Sequence, residues 1–381
     1  MRPAVLTGEH FMTGDVACAE GAMAAGCLFF GGYPITPATE IAEHMSARLP
    51  EVGGTFIQME DEIGAIASVI GASCAGVKSM TATSGPGFSL MMENIGLAIC
   101  IEAPCVIANV QRAGPSTGLP TLGAQSDMMQ ARWGSHGHYE IIALAPSSPQ
   151  EIFYQTVTAF NLSEKYRLPV LVMADEMVGH LSERVIIPDA KDIKTVSRKR
   201  PKGRKDRFKP YRPDPDGIAP MPIAGGGYNI HMTGLTHDER GYPVMTPDAQ
   251  YEMMERLISK VRKNLDDIIR TESYRLEDAE IVIVSYGVSS RTCLAAVDEA
   301  RELGIKAGLL RLITVWPFPE DQIRHLAKKV KCFVTVEINL GQIHLEVERC
   351  AGGRAPAFLV GHPGGTIIPP ERVIQTVKEA F

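Results

Sequence analysis

Short apolar runs alternate with longer helical stretches along the first part of the chain. Each run ends in a turn rich in glycine, proline or polar residues, and the stretch before Gly76 is rich in Ala, Ile and Gly. Such a stretch is typical of a helix packed closely on a sheet, and strands that alternate with helices predict a parallel sheet covered on both faces. The predicted strands are residues 27–30, 56–59, 79–83, 104–110 and 169–174.

The same alternation returns near Leu276 and predicts a second, smaller α/β unit. Its predicted strands are residues 281–285, 309–313, 332–337 and 357–360, with a helix over 321–329. A chain of 381 residues exceeds the size at which a single core usually divides. We therefore predict a first domain over residues 1–190, a basic linker, insertion and connecting helix over 191–275, and a second domain over 276–381.

The segment 191–275 contains two features that could suggest other chemistry. Residues 191–210 are a run of lysines and arginines, for which a nucleic-acid site is one interpretation and a solvated linker or docking face for an acidic partner is the favoured one. His237, Asp238 and Glu239 could act in acid–base chemistry or bind a metal, but a polar loop over the domain is favoured. A helix over 247–271 then follows, with apolar residues at four-residue spacing.

Composition narrows the class of protein. The chain is 45% hydrophobic and 22% charged with a net charge of −6, which is typical of a globular protein and argues against a polyanion as partner. We predict no membrane span, because residues 90–110 are interrupted by Glu93, Glu102 and Pro104. The eight cysteines form no Cys-x-x-Cys pair, which predicts free thiols in the cytoplasm and no iron–sulfur cluster in this chain.

The most distinctive local feature is the loop at 31–37, which reads Gly-Gly-Tyr-Pro-Ile-Thr-Pro. Pro34 and Pro37 fix their own φ angles and restrict the residues before them, so the loop is stiff and presents Thr36. In parallel sheets, ligands bind beyond the carboxyl ends of the strands. Thr36, Glu62, Ser84 and Arg112 all follow predicted strands and are expected near that edge.

Five motifs in this order resemble the α subunit of the 2-oxoacid:ferredoxin oxidoreductases, thiamine-diphosphate enzymes that oxidise 2-oxoacids to acyl-CoA. They are Tyr-Pro-Ile-Thr-Pro at 33–37, Asp-Glu-Ile-Gly-Ala at 61–65, Thr-Ser-Gly-Pro-Gly at 83–87, Gln-Arg at 111–112 and Thr-Gly-Leu-Pro-Thr at 117–121. The resemblance implies a thiamine-diphosphate-binding domain of pyrimidine type, with a doubly wound parallel sheet. It also implies a smaller α/β domain like the C-terminal domain of transketolase.

The resemblance assigns roles to the residues at the predicted sheet edge. Glu62 would hydrogen-bond the aminopyrimidine ring and favour its imino form, whereas Glu60 and Asp61 are expected to be ordinary carboxylates at a helix N-terminus. Arg112 would hold the substrate carboxylate in a bidentate fork, and Thr36 would donate a further hydrogen bond to the substrate. The residues expected to contact the cofactor are Tyr33, Pro34, Ile35, Glu62, Ser84 and Gly85.

The resemblance also implies that this chain supplies half of an active site. It lacks the Gly-Asp-Gly segment with a downstream Asn that holds the diphosphate and its metal, so no metal ligand is predicted here. A β subunit would hold the diphosphate and Mg²⁺, and [4Fe-4S] clusters would lie in partner subunits, with γ and ferredoxin-like δ subunits and ferredoxin itself as further partners.

The expected reaction is CoA-dependent oxidative decarboxylation of a 2-oxoacid. The length without a fused γ domain and the segment 233–239 favour 2-oxoglutarate. A branched-chain 2-oxoacid such as 2-oxoisovalerate, or pyruvate, is the alternative substrate. A scaffold subunit that kept the fold without catalysis is the alternative of another class.

Overall fold

The computed structural model describes residues 4–202 and 205–380 of the chain. The strands are β1 (Gly8–Thr13), β2 (Phe29–Gly32), β3 (Thr55–Gln58), β4 (Ser79–Thr83), β5 (Cys105–Ala113), β6 (Leu119–Gly123), β7 (Ile142–Leu144), β8 (Pro169–Asp175), β9 (Ser182–Ile187), β10 (Thr271–Tyr274), β11 (Ile281–Ser285), β12 (Ala307–Leu312), β13 (Thr314–Trp316), β14 (Cys332–Glu337) and β15 (Ala357–Gly361). The α-helices are α1 (Gly14–Ala24), α2 (Thr39–Glu51), α3 (Glu62–Cys74), α4 (Gly85–Cys100), α5 (Met128–Trp133), α6 (Pro149–Tyr166), α7 (Glu176–His180), α8 (Pro247–Arg262), α9 (Leu265–Ile268), α10 (Ser289–Glu302), α11 (Glu320–Leu326), α12 (Gln342–Ala351) and α13 (Pro370–Ala380).

The larger sheet is built mostly from the first half of the sequence. Its strand order is β13-β7-β8-β5-β4-β2-β3, with β6 paired to β5. All pairs from β7 through β3 are parallel, whereas β6 and β13 are antiparallel additions. The predicted parallel α/β sheet is confirmed. The loops after β2, β4 and β5 therefore meet at one carboxyl edge, which is where ligands bind in such sheets.

The smaller sheet has the order β10-β12-β11-β14-β15 and is parallel except for β10. Two strands cross the predicted domain limits. β10 lies in the segment predicted to connect the domains but pairs with β12, and β13 follows β12 in sequence but pairs with β7 of the larger sheet. The part of the chain that forms the smaller sheet thus also contributes one strand, β13, to the larger sheet.

A buried polar network holds the second half of the molecule against the loop that follows β6. The Gln125 amide donates to Asp175 Oδ2 at 3.0 Å and to the Tyr286 carbonyl at 3.1 Å. Asn339 Nδ2 donates to the Gln125 carbonyl at 2.6 Å, and the Tyr286 hydroxyl donates to Glu337 at 2.8 Å. Satisfied buried networks of this kind specify one relative arrangement of the packed elements.

The structure corrects several predicted boundaries. β5 runs three residues beyond its predicted end, because Gln111 pairs with Asp175 of β8 and Arg112 pairs with Gly123 of β6. Arg112 therefore lies in a strand and not in the loop after it. The helix predicted over 247–271 ends at Arg262, and a turn, α9 and β10 replace its last part.

His237 was expected in a polar loop over the domain, and the structure places it in a loop whose histidine is packed inward. Its side chain is buried, with its ring centroid 4.2 Å from that of Tyr211, and burial lowers the pKa of the imidazole. The neighbouring Asp238 forms an ion pair with Arg240 at 2.7 Å. The histidine is a packed core residue, as is common for a neutral imidazole.

The basic run 191–210 is not uniformly solvated. Arg198 is buried and donates to both carboxylate oxygens of Glu164, at 2.5 and 2.9 Å, and to the Ser73 carbonyl at 2.6 Å. Lys191, in contrast, is exposed and lies 3.5 Å from Asp189. Arg198 therefore anchors the segment onto α3 and α6, and only part of the run faces solvent.

Replacement of Arg198 by methionine is expected to destabilise the chain by about 3–5 kcal/mol, because the Glu164 carboxylate would stay buried without its partner. Lys191→Met, in the same run but exposed, is the matched control and should change stability by less than about 0.5 kcal/mol. Urea unfolding of both variants, followed by circular dichroism, measures the difference. Equal stability of the two variants would contradict the anchoring role.

No helix in residues 4–202 and 205–380 combines the length and the apolar character that crossing a membrane requires.

Candidate functional site

Glu62 lies at the start of α3, directly after the short loop that follows β3. Asp61 is the N-cap of this helix and its side chain accepts a hydrogen bond from the Gly64 amide at 2.7 Å. The cap turns Glu62 inward, so its side chain is buried while Glu60 and Asp61 stay exposed. Of the three neighbouring carboxylates, Glu62 alone is therefore buried, and it is the one that the motif selects.

The Glu62 carboxylate rests against the turn between β4 and α4. An ideal Cβ placed on Gly87 would lie 2.3 Å from Glu62 Oε1 and 2.3 Å from Thr83 Oγ1. A side chain at position 87 would displace the carboxylate. Within the described chain, no protein group donates a hydrogen bond to Glu62, so its oxygens are available to a ligand.

Arg112 and the loop after β2 meet at the same sheet edge. Arg112 Nη1 donates to the Thr36 carbonyl at 2.7 Å, and Arg112 Cγ lies 3.9 Å from an ideal Cβ on Gly85. The guanidinium interacts electrostatically with Asp127 and Glu62, and burial lowers the pKa of Arg112. The structure thus brings together Thr36, Glu62, Gly85 and Arg112, which are distant in sequence.

The other predicted cofactor residues lie around this centre. Tyr33 and Pro34 are exposed, Ile35 is half-buried, and the Ile35 carbonyl accepts the Ala38 amide at 2.8 Å in the turn that presents Thr36. Ser84 is the N-cap of α4 but its hydroxyl makes no capping hydrogen bond. The Thr36 hydroxyl was predicted to act on the substrate, and in the structure the carbonyl of the same residue is held by Arg112.

Three buried polar atoms at this edge fit the pyrimidine half of thiamine diphosphate. Among the described residues, Thr83 Oγ1, Ser84 Oγ and Arg112 Nε are buried without a hydrogen-bond partner. Unpaired buried donors and acceptors cost free energy unless a ligand satisfies them. With the acceptor Glu62, which only a glycine at position 87 leaves in place, they offer donors and acceptors to a polar heterocycle.

Sequence reasoning missed two contributions. Gly87 belongs to the recognised Thr-Ser-Gly-Pro-Gly motif, but only its contact with Glu62 shows why glycine is needed there. Asp127 lies in an unremarkable stretch of sequence, yet it is half-buried, accepts a hydrogen bond from Asn109 at 2.9 Å and interacts with Arg112. No local signal distinguishes Asp127, because its position depends on a contact with a residue of β5. The backbone N–H of Asp127 donates a hydrogen bond to the Gln111 side chain at 3.1 Å.

Exposed apolar side chains surround the site. They project from the ends of β2 and β3, from the first turn of α3, the second turn of α4 and from β6, and comprise Tyr33, Ile57, Ile63, Leu90, Leu119 and Leu122. Exposed apolar side chains on several neighbouring elements are typical of an interaction surface. We call these six residues the apolar rim.

Comparison with known proteins defines the class first. A family model described as pyruvate flavodoxin/ferredoxin oxidoreductase, thiamine diphosphate-binding, matches residues 20–256. A second, described as pyruvate:ferredoxin oxidoreductase core domain II, matches residues 279–373. The chain is therefore of the thiamine-diphosphate-binding oxidoreductase class.

Individual relatives narrow this class. The chain is 56% identical to the 2-oxoglutarate synthase subunit KorA of Methanocaldococcus jannaschii, covering 97% of this chain and 99% of the relative. It is 39% identical to the ketoisovalerate oxidoreductase subunit VorB of Methanothermobacter marburgensis, with 97% of each covered. The chain belongs to the 2-oxoacid:ferredoxin oxidoreductase family, and the resemblance predicted from its motifs is confirmed.

Solved structures agree with this assignment. A 2-oxoglutarate:ferredoxin oxidoreductase from Magnetococcus marinus, with 2-oxoglutarate, coenzyme A and succinyl-CoA bound, superposes with a TM-score of 0.93 at 34% identity, over 98% of this chain and 65% of that one. A split-gene transketolase, an inactive β4 tetramer, superposes at 0.57 with 14% identity over 96% of each chain, which shows a shared fold alone. The predicted fold class is confirmed.

Proposed function

We propose that this chain is the α subunit of a 2-oxoglutarate:ferredoxin oxidoreductase, which converts 2-oxoglutarate and CoA to succinyl-CoA and CO₂ and passes the electrons to ferredoxin. The observation that carries the proposal is the convergence of buried Glu62, buried Arg112 and the Thr36 loop at one sheet edge. A chain that served only as a scaffold would gain nothing from burying two charged groups there.

Each of these residues has a distinct role. Thiamine diphosphate, when bound, would supply the carbanion-stabilising chemistry that decarboxylation needs. Glu62 would hold a proton at the pyrimidine ring, and the glycine at position 87 leaves room for the Glu62 carboxylate itself. Arg112 binds the 2-oxoacid carboxylate, while its Nη1 also fixes the loop that carries Thr36. The Thr36 hydroxyl orients the substrate.

The preference for 2-oxoglutarate is supported by the pattern of identities. Four relatives named 2-oxoglutarate synthase subunit KorA are 42–56% identical to this chain, whereas the two ketoisovalerate subunits are 38% and 39% identical. The Magnetococcus marinus enzyme was solved with 2-oxoglutarate bound. A branched-chain 2-oxoacid is the second candidate, and pyruvate the third.

Partner subunits are proposed to complete the active site. The apolar rim offers them a surface beside the site, and a β subunit seated there would bring the diphosphate-binding segment and Mg²⁺. The [4Fe-4S] clusters are assigned to the partner subunits, including the ferredoxin-like one, because none of the eight cysteines here lies in a cluster-binding run. All eight thiols are unpaired, which supports a reducing cytoplasm.

The proposal predicts activity only in the assembled complex. The complex is isolated anaerobically through a tag on this chain, supplied with CoA, thiamine diphosphate and Mg²⁺, and assayed for reduction of a viologen dye. We expect kcat/KM for 2-oxoglutarate to exceed that for 2-oxoisovalerate and pyruvate by at least about tenfold. The tagged chain alone should bind the cofactor weakly and reduce no dye.

The outcomes separate the alternatives. Preference for 2-oxoisovalerate or pyruvate would keep the reaction class and change the substrate. Failure of all three acids, with a co-purified β subunit and intact clusters, would favour the scaffold interpretation. Tight cofactor binding and decarboxylation by the isolated chain would overturn the division of the site between subunits.

A further inference from the structure

A second group of chemically active side chains lies behind the Thr36 loop. Asp15 in the first turn of α1, Glu40 in the first turn of α2 and His180 at the end of α7 offer three ligand atoms within 4.8 Å of one another. His180 Nε2 lies 3.8 Å from Asp15 Oδ2 and 3.5 Å from Glu40 Oε2. Ligands about 2.1 Å from one zinc ion are spaced by about 3.4 Å in a tetrahedron, so small shifts would suffice.

Asp15 is the observation that points to a cation. Its side chain is only 1% exposed, and neither carboxylate oxygen has a hydrogen-bond partner among the described residues. An ideal Cβ on Gly179 would lie 2.8 Å from Asp15 Oδ1, so the backbone of α7 closes over the carboxylate. A buried carboxylate without donors is costly unless a cation or a proton compensates it.

The surrounding charges favour a cation over an ordinary ion pair. The groups that act on the Asp15 carboxylate are the carboxylates of Glu40 and Glu176 and the imidazole of His180. Three carboxyl groups therefore face a single imidazole. Glu40 Oε2 is itself a buried atom without a hydrogen-bond partner, so it too is available as a ligand.

His180 is oriented as a metal-bound histidine usually is. Its Nδ1 lies 3.3 Å from Glu176 Oε1, while Nε2 faces Asp15 and Glu40 and donates a hydrogen bond to the Pro37 carbonyl at 3.2 Å. A metal ion would take the place of that Nε2 proton. In metal sites, a carboxylate that accepts the other ring N–H fixes the tautomer and leaves the opposite nitrogen free to ligate. The half-exposed position of His180 provides a route for the ion.

We propose that Asp15, Glu40 and His180 bind a divalent transition-metal ion, with the Pro37 carbonyl as an additional oxygen ligand. An imidazole among carboxylates suits Zn²⁺ or Mn²⁺ better than Mg²⁺ or Ca²⁺, which take oxygen ligands. The ion would tie α1, α2 and α7 to the loop at Pro37, one residue from the Thr36 carbonyl that Arg112 holds. This site is separate from the Mg²⁺ expected in the partner subunit.

The test uses Zn²⁺ as the probe on the complex isolated through a tag on this chain. After incubation with Zn²⁺ and removal of the free ion, zinc is counted by mass spectrometry, and its ligands are identified by X-ray absorption. We expect about one zinc per chain with oxygen and nitrogen ligands near 2.1 Å and no sulfur near 2.3 Å. Because the readout is zinc content, it is independent of whether the complex oxidises 2-oxoglutarate.

The zinc content of three variants tests whether the ion is bound by this cluster. Asp15→Asn keeps the shape of the side chain and His180→Gln changes a half-exposed one, and each should lower zinc to less than about one tenth per chain. His138→Gln, an exposed histidine in another loop, is the control and should retain it. Absence of zinc from the parent complex, or equal zinc in all three variants, would overturn the proposal and leave a proton as the occupant.

Discussion

Glu62→Gln is expected to lower kcat of the assembled complex by at least about 100-fold, the range over which a positioned proton-transfer group acts. The amide keeps the volume of the carboxylate that lies against Gly87. An amide cannot hold a proton at a pyrimidine nitrogen, so the loss is chemical and not steric. Dye reduction measured with saturating 2-oxoglutarate and CoA checks the value.

Glu60→Gln is the matched control for this prediction. Glu60 is exposed and lies two residues from Glu62, so its change removes the same charge outside the site and should leave kcat within about twofold. Co-purification of the β subunit and the circular dichroism spectrum of each variant establish that assembly and fold are intact. A Glu62→Gln complex that reduced dye at the parent rate would refute the role of Glu62.

Arg112→Ala is expected to raise KM for the 2-oxoacid by about 10- to 100-fold, the effect of losing charge-assisted hydrogen bonds to a carboxylate. Its effect on kcat should be smaller than that of Glu62→Gln. KM for CoA should stay within about twofold, because CoA has no need of the guanidinium. Initial rates at varied 2-oxoglutarate and at varied CoA separate the two constants.

Arg112→Lys distinguishes the effect of bidentate hydrogen bonding from the effect of the positive charge. A lysine retains the positive charge but cannot present two parallel donors, so we expect it to recover only part of the affinity. Arg324→Ala, which removes an exposed arginine on α11, is the control and should leave both KM values unchanged. Equal losses of affinity for 2-oxoglutarate and CoA would mean that Arg112 acts through the Thr36 loop and not on the substrate.

Much of the fold was predictable from local pattern. β4, β11 and β14 have the predicted bounds, because continuous apolar runs that end in glycine or polar turns describe strands buried on both faces. β1, β6, β7, β9, β10 and β13 were not predicted. Antiparallel edge strands and three-residue strands are defined by their pairing partners, which lie far away in sequence.

The candidate site likewise has residues that the sequence predicted and residues that it did not. The motifs were sufficient to select Thr36, Glu62 and Arg112, and to separate Glu62 from its acidic neighbours. They placed Arg112 in a loop, because nothing in the residues near it indicates that β6 returns to pair with it. They did not indicate Asp127, or the reason for glycine at position 87, since both depend on contacts across the sheet edge.

The sequence by itself determined the class of fold and the family, and it singled out the motif residues proposed for the site, because each depends on residues that are adjacent along the chain. Only the tertiary structure decided that Arg198 is buried inside a basic run and that Asp15, Glu40 and His180 meet behind the Thr36 loop. Burial and the approach of distant side chains depend on how helices and strands pack. No local pattern of polar and apolar residues specifies that packing.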